Sequence, residues 1–171
     1  MQSLHCLKRL TMTYNLIDNI ENFSHIPSLS KLTLDHTRLK EATITNSQLE
    51  YISICDSHLS KITLSSKFSN LTILLLDYCK ISVLPEDFFI ACPFLKYLSM
   101  KNNLLVSFPS SFETLEQIEY VDLSNNQLDS IAISANFSRL HSLLLNNNNL
   151  KTLPCTVWML KRLCKLSLSS N

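Results

Sequence analysis

Leucine and its apolar equivalents return along this chain in a fixed frame, L-x-x-L-x-L-x-x-N-x-L. Residues 95–105 (LKYLSMKNNLL), 118–128 (IEYVDLSNNQL) and 140–150 (LHSLLLNNNNL) match it, and 163–171 (LCKLSLSSN) stop on its asparagine. Residues 7–17, 29–39, 49–59 and 71–81 fit with small substitutions. The frame starts at Leu7, Leu29, Leu49, Leu71, Leu95, Ile118, Leu140 and Leu163, so its steps are 22, 20, 22, 24, 23, 22 and 23 residues. Repetition at this period marks an array whose units bury their apolar faces against one another. The apolar fourth and sixth positions alternate with polar neighbours, which predicts a short strand with one buried face in each unit. Those pairs are Leu10/Met12, Leu32/Leu34, Ile52/Ile54, Leu74/Leu76, Leu98/Met100, Val121/Leu123, Leu143/Leu145 and Leu166/Leu168. A second apolar column occupies position fourteen: Ile20, Ala42, Ile62, Leu84, Phe108, Ile131 and Leu153. Pro85, Pro109 and Pro154 follow it directly, each fixing φ where the chain turns back.

On these eight registered matches the whole chain resembles the leucine-rich repeat family. The resemblance implies an α/β solenoid of about eight repeats. Its form would be a curved right-handed horseshoe arc, with parallel strands on the concave face and irregular or short helical segments on the convex face. It implies one domain over residues 1–171, part of a longer array, because neither end shows the polar cap such arrays carry. Leu166 and Leu168 would then lie on an open edge and offer a route to self-association. In the family an asparagine at position nine bonds the backbone of neighbouring turns. Here that column reads Asn15, Thr37, Ser57, Cys79, Asn103, Asn126, Asn148 and Asn171, so the ladder should weaken in repeats two to four. Phe23, Phe68, Phe89, Phe94, Phe112, Phe137 and Trp158 fall in return segments and are expected to fill the convex side of the core.

The same resemblance points frame positions 2, 3, 5, 7 and 8 out of the concave face. All five tyrosines fall on them: Tyr14, Tyr51, Tyr78, Tyr97 and Tyr120. With neighbouring strands about 4.8 Å apart, Tyr51, Ile73, Tyr97 and Tyr120 should form a continuous stripe, with Leu75 beside it. Tyrosine offers a large contact area with little rotamer entropy to lose, as interface anchors require. Cross-strand rings also stabilise a sheet for their own sake, so a purely structural reading stands beside the binding one. Asp35, Asp56, Asp77 and Tyr78 are expected next to the stripe, and Lys101 and Asp122 continue the rim. A partner carrying Lys or Arg at its centre would suit these carboxylates. The expected function is therefore a non-enzymatic protein-interaction module, either an intracellular adaptor or scaffold, or a piece of a cell-surface receptor ectodomain.

Composition narrows the alternatives. There is no glycine among 171 residues, so glycine-dependent phosphate loops and dinucleotide fingerprints are excluded. A net charge of +1 gives no reason to expect nucleic acid, and no apolar run is long enough to span a bilayer. Cys55 beside His36, Asp35 and Asp56 has the residue types of a thiol nucleophile or a metal site. An open concave sheet, however, offers neither a water-excluding pocket nor an oxyanion donor, so no catalytic residue, metal or cofactor is expected. Cys79 and Cys92 sit in core columns as free thiols, whereas Cys55 should be exposed. An exposed thiol, with no signal-like leader in the opening residues, leads to a cytoplasmic expectation, with extracellular or cell-surface placement as the alternative. In the latter case Asn22, Asn70 and Asn136 would be glycan acceptors. The repeat dialect is mixed: residues 83–105 resemble a receptor and matrix type, whereas residues 152–171 resemble an intracellular scaffold type.

Overall fold

The computed structural model describes residues 4–20 and 26–171. Its strands are β1 (Arg9–Thr11), β2 (Lys31–Thr33), β3 (Glu41–Ile44), β4 (Tyr51–Ser53), β5 (Lys61–Leu64), β6 (Ile73–Leu75), β7 (Tyr97–Ser99), β8 (Tyr120–Asp122), β9 (Ser142–Leu144) and β10 (Lys165–Ser167). Eight of them form one parallel sheet in the order β1-β2-β4-β6-β7-β8-β9-β10, while β3 and β5 pair separately. Register never slips. Leu10, Leu32, Ile52, Leu74, Leu98, Val121, Leu143 and Leu166 stand in one row, each beside its equivalent in the next turn.

Three-residue strands supply few ladder bonds, and the chain continues the pairing beyond them. The position-six N–H donates to the position-five carbonyl of the next turn, as Leu34 does to Ser53 at 2.8 Å and Leu76 to Ser99 at 2.8 Å. The position-eight N–H then donates to the next position-seven carbonyl, as Asp56 does to Asp77 at 2.8 Å. To make that bond the chain bends into the left-handed region at Tyr14, His36, Asp56, Tyr78, Asn102, Asn125, Asn147 and Ser170. This is the same frame position in every turn, and in a glycine-free chain each of these residues carries a Cβ into that region.

The core runs the length of the arc. Leu32, Leu34, Ile52, Ile54, Leu74, Leu76, Leu98, Val121, Leu123, Leu143 and Leu145 are fully buried, each contributing about 1.5–3 kcal/mol of burial free energy. On the far side Phe89, Phe112 and Phe137 pack edge-on in a chain, with centroid separations of 5.6 and 5.1 Å. Phe68 is buried as well. Phe23 lies outside the described residues. Phe94 departs from the expectation: it is 49% exposed, because Cys92 and Leu95 on either side take the core positions. Trp158 departs further, at 72% exposure. It belongs to a 3-10 helix, Cys155–Met159, with three residues per turn. Val157 and Leu160 face inward there, which leaves Trp158 and Met159 facing out.

The convex side carries the expected short helical segments in part of the arc and a second strand pair in another. Later turns do carry 3-10 helices, Phe88–Ala91, Ser110–Thr114 and Cys155–Met159, and the last two start directly after Pro109 and Pro154. Turns two and three instead run extended, with Glu41 beside Lys61 and Thr43 beside Thr63 in β3 and β5. Those segments, EATI and KITL, alternate and are rich in β-branched residues. Neither has a proline to start a helical turn.

The position-nine ladder closes the interior. Asn126 donates from Nδ2 to the carbonyls of Met100 (2.9 Å) and Leu123 (3.0 Å), and its Oδ1 accepts from Leu105 N–H at 3.0 Å. Asn103 and Asn148 repeat the pattern one turn before and after. Where asparagine is missing the ladder thins: Cys79 Sγ donates to Ile54 O at 3.1 Å, and Thr37 Oγ1 reaches its own turn at Leu34 O. Asn126→Ala would leave the buried Leu105 N–H without a partner and take from the Met100 and Leu123 carbonyls one of the two asparagine amides each accepts from. It is expected to cost about 3 kcal/mol, read as a fall in the urea midpoint with the slope unchanged.

Candidate binding face

Strand register places the tyrosine stripe as its spacing required. Column three reads Arg9, Lys31, Tyr51, Ile73, Tyr97, Tyr120, Ser142 and Lys165 across adjacent strands. Tyr97 and Tyr120 stack face to face, with centroids 4.1 Å apart and planes 2° from parallel. Burial and the hydrogen bond with Tyr97 push the Tyr120 phenol upward from its usual range, so it remains neutral. In the middle of the face a shallow depression of about 320 Å³ is lined by Tyr51, Ile73, Leu75, Asp77, Tyr97, Ser99, Lys101, Tyr120 and Asp122. Eight of the eleven residues singled out from the sequence meet there. Ser99 was missed because a serine at position five carries no signal of its own.

The remaining three lie elsewhere. Asp56 and Tyr78 project from left-handed position-eight corners into a separate cleft of about 560 Å³, with Tyr14, His36, Arg38 and Lys80. His36 stacks on Tyr14 at 4.0 Å, and its Nδ1 lies 2.9 Å from Asp56 Oδ2. Asp35 is turned towards the next strand. Its Oδ1 accepts from Ser53 Oγ at 2.6 Å and from Cys55 N–H at 2.7 Å. Asp77 does the same with Ser99 Oγ (2.6 Å) and Lys101 N–H (3.0 Å), and Asn146 with Ser167 Oγ (2.7 Å) and Ser169 N–H (2.9 Å). Position seven is thus a second inter-turn staple, formed wherever an Asp or Asn there precedes a serine at position five of the next turn. Asp35 and Asp77 are therefore framework groups first. The expected row of three free carboxylates is not what the structure presents.

Two further expectations are corrected. Asp122 is 7% exposed, because its Oδ1 turns inward to accept from Ser124 N–H at 2.9 Å. Cys55 is half-buried, and desolvation pushes its thiol up to about 12. Its sulfur lies 3.6 Å from Ser53 Oγ, while the His36 ring is engaged with Tyr14 and Asp56. A protonated, sheltered thiol is a poor nucleophile. Cys79 and Cys92 are buried free thiols, also raised by desolvation. Lys101 stays at the rim, with Nζ 3.8 Å from Asp77 Oδ2 and 5.7 Å above the Tyr78 ring.

A family model described as "Leucine rich repeat" matches residues 69–128. Mouse lumican is 32% identical over 132 residues, covering 73% of this chain and 39% of that protein. Rabbit lumican is 30% identical over the same length, covering 73% of this chain and 68% of that sequence. The chain thus spans about two fifths of mouse and human lumican, at 39% each. Among solved structures, human 5T4 (Wnt-activated inhibitory factor 1, trophoblast glycoprotein) superposes with a TM-score of 0.74 at 21% identity, over 96% of this chain and 70% of that one. That likeness establishes the arc and its parallel inner sheet.

Desolvation raises the Asp77 carboxyl above its usual 3.8, against the lowering by Ser99, the Lys101 N–H and the Lys101 charge. Because the folded value lies above the unfolded one, the contribution of this carboxyl to stability is complete below pH 3.8 and is lost as pH rises through the folded value. Asn146 shows that an amide oxygen serves the same staple. Asp77→Asn should therefore hold or raise the urea midpoint at pH 7. Its stability profile should also be flatter than wild type above pH 3.8. A loss of stability at pH 7 would mean that the Lys101 ion pair outweighs the desolvation.

Proposed function

Because the chain belongs to the leucine-rich repeat family, we propose that it is a non-enzymatic protein-binding module of the cell surface or extracellular space, engaging its partner through the central depression of the concave face. The observation that carries this reading is the convergence of Tyr51, Ile73, Leu75, Tyr97 and Tyr120 on one depression with Asp77, Lys101 and Asp122 at its polar side. A pocket of that make-up receives an apolar or aromatic side chain from the partner, with a neighbouring Lys or Arg of the partner set against Asp77. Small preformed depressions on a rigid sheet suit such anchors, since little ordering remains to be done on binding.

The relatives support the extracellular alternative more than the intracellular adaptor: lumican and 5T4 are extracellular or cell-surface proteins. Asn70 and Asn136 are both exposed, as glycan acceptors must be. The sheltering of Cys55 also removes the thiol on which the cytoplasmic expectation leaned. The intracellular adaptor stays as the second reading on one observation, the exposed thiols of Cys6, Cys155 and Cys164.

The test is comparative capture, with cell-surface and soluble fractions offered to the wild-type chain and to a Tyr51→Ala/Tyr97→Ala/Tyr120→Ala variant of equal circular dichroism. A partner held by the first and weakened at least a hundredfold for the second is the expected result, about 2.7 kcal/mol or more across three anchors. Equal retention by both would reduce the tyrosines to sheet-stabilising neighbours. The fraction that supplies the partner decides between the two compartments.

A further inference from the structure

Trp158 is the single tryptophan of the chain, and it is 72% exposed. Its exposure is a property of the position, not of the last turn. Counted back from the next frame start, the equivalents of Trp158 are Ile90 and Glu113, and both face solvent although turns flank them on either side. Met159, beside it, is 61% exposed. Met159, next to Trp158 in the chain, lines a depression of about 590 Å³ between the last two convex segments, together with Ser138, Arg139, Lys161 and Arg162. Its lining contains three cations and no carboxylate. Arg139, Lys161 and Arg162 are all exposed, and none is in an ion pair among the described residues. One turn back from Arg139 the matching columns carry Glu113 and Glu116, both exposed.

We propose that this convex corner is a binding site for a sulfated polysaccharide. Arg139 and Arg162 occupy the same frame position in consecutive turns, and Lys161 stands next to Arg162. Guanidinium forks match the planar spread of sulfate oxygens and can hold two at once. Trp158 supplies a flat apolar surface on which a sugar ring can lie, and a polar linkage can reach the Ser138 hydroxyl. A bilayer would meet the same aromatic and cationic side chains but presents a broad flat surface. Here the cations line a recess, which a chain of sulfated rings enters and a membrane does not. The site shares no lining residue with the tyrosine depression, so it stands or falls independently of the concave-face reading.

Because Trp158 is the only indole, its emission reports this corner alone. Titration of the whole chain with a heparin octasaccharide at low ionic strength should give a saturable change in tryptophan emission that weakens steeply with added salt. Uncharged dextran should give none. An Arg139→Gln/Arg162→Gln variant changes two solvent-facing side chains and should fold normally by circular dichroism. Its affinity should fall at least tenfold, while the Tyr51→Ala/Tyr97→Ala/Tyr120→Ala variant should bind as wild type. No emission change with heparin, or an unchanged affinity in the double variant, would overturn the site. Equal binding of polyglutamate, or tighter binding of vesicles containing phosphatidylserine, would overturn the assignment to sulfated saccharide.

Discussion

Each turn of this molecule carries main-chain carbonyls into an apolar interior, and the arc can close only if something inside accepts the duty of bonding them. A buried carbonyl without a partner forfeits about 1–3 kcal/mol, and the problem repeats once per turn. The asparagine column solves it with one side chain that faces three ways. Asn126 spans the carbonyls of two successive turns with its amide nitrogen, and its oxygen accepts from the Leu105 N–H of the preceding turn. Everything outside follows from that fixed spacing: the unbroken register of the inner sheet, the alignment of column three, and the stacking of Tyr97 on Tyr120 at 4.1 Å. Serine, threonine and cysteine have fewer arms, so turns two to four lean on other supports. These include the Asp35 staple to Ser53 and Cys55 and the convex β3–β5 pair.

The absence of glycine shapes the outer surface in the same way. A left-handed corner recurs at position eight of every turn, where glycine would be the easy choice, and non-glycine residues there carry about 1–3 kcal/mol of strain apiece. Asparagine, the side chain that tolerates this region best, fills it at Asn102, Asn125 and Asn147. The last turn uses Ser170, and in the others the corner is Tyr14, His36, Asp56 or Tyr78, each held by its N–H bond to the next turn. The return on the strain is a column of side chains at the rim of the face, where glycine would have left bare backbone. The stacked Tyr14–His36 pair and the His36–Asp56 contact are products of that column.

What the sequence disclosed, and what it withheld, divides along a physical line. The inner sheet was legible because its rule is periodic: burying positions four and six fixes the direction of position three, so the stripe could be read from spacing. The convex side obeys no such rule. Whether a return segment runs as a β-strand or a 3-10 helix depends on local choices, such as a proline at Pro109 or β-branching in KITL, and the frame is silent on them. Trp158 was misassigned for that reason. Its neighbours Val157 and Leu160 satisfied the core, and a three-residue turn has no room for a third inward side chain. The carboxylates were misread for a different reason. Asp35, Asp77 and Asp122 stand at outward-pointing positions, but position alone does not reveal that a serine or backbone N–H one strand or two residues away captures an oxygen.

That capture bears directly on how the face can bind. Asp77 spends Oδ1 on Ser99 and the Lys101 N–H, which fixes its carboxylate plane, and leaves Oδ2 at the depression facing Lys101 Nζ across 3.8 Å. An incoming cation would compete with a half-exposed lysine that sits on a flexible four-carbon stem and lies over the Tyr78 ring. The contact is long at 3.8 Å, and the carboxylate needs no reorientation to receive a replacement. The same staple that fastens two turns together therefore presents a preoriented acceptor beside an aromatic anchor site. Framework and recognition use different oxygens of one side chain. A substitution that keeps the framework oxygen and removes the charge separates the two roles, which deletion to alanine cannot do.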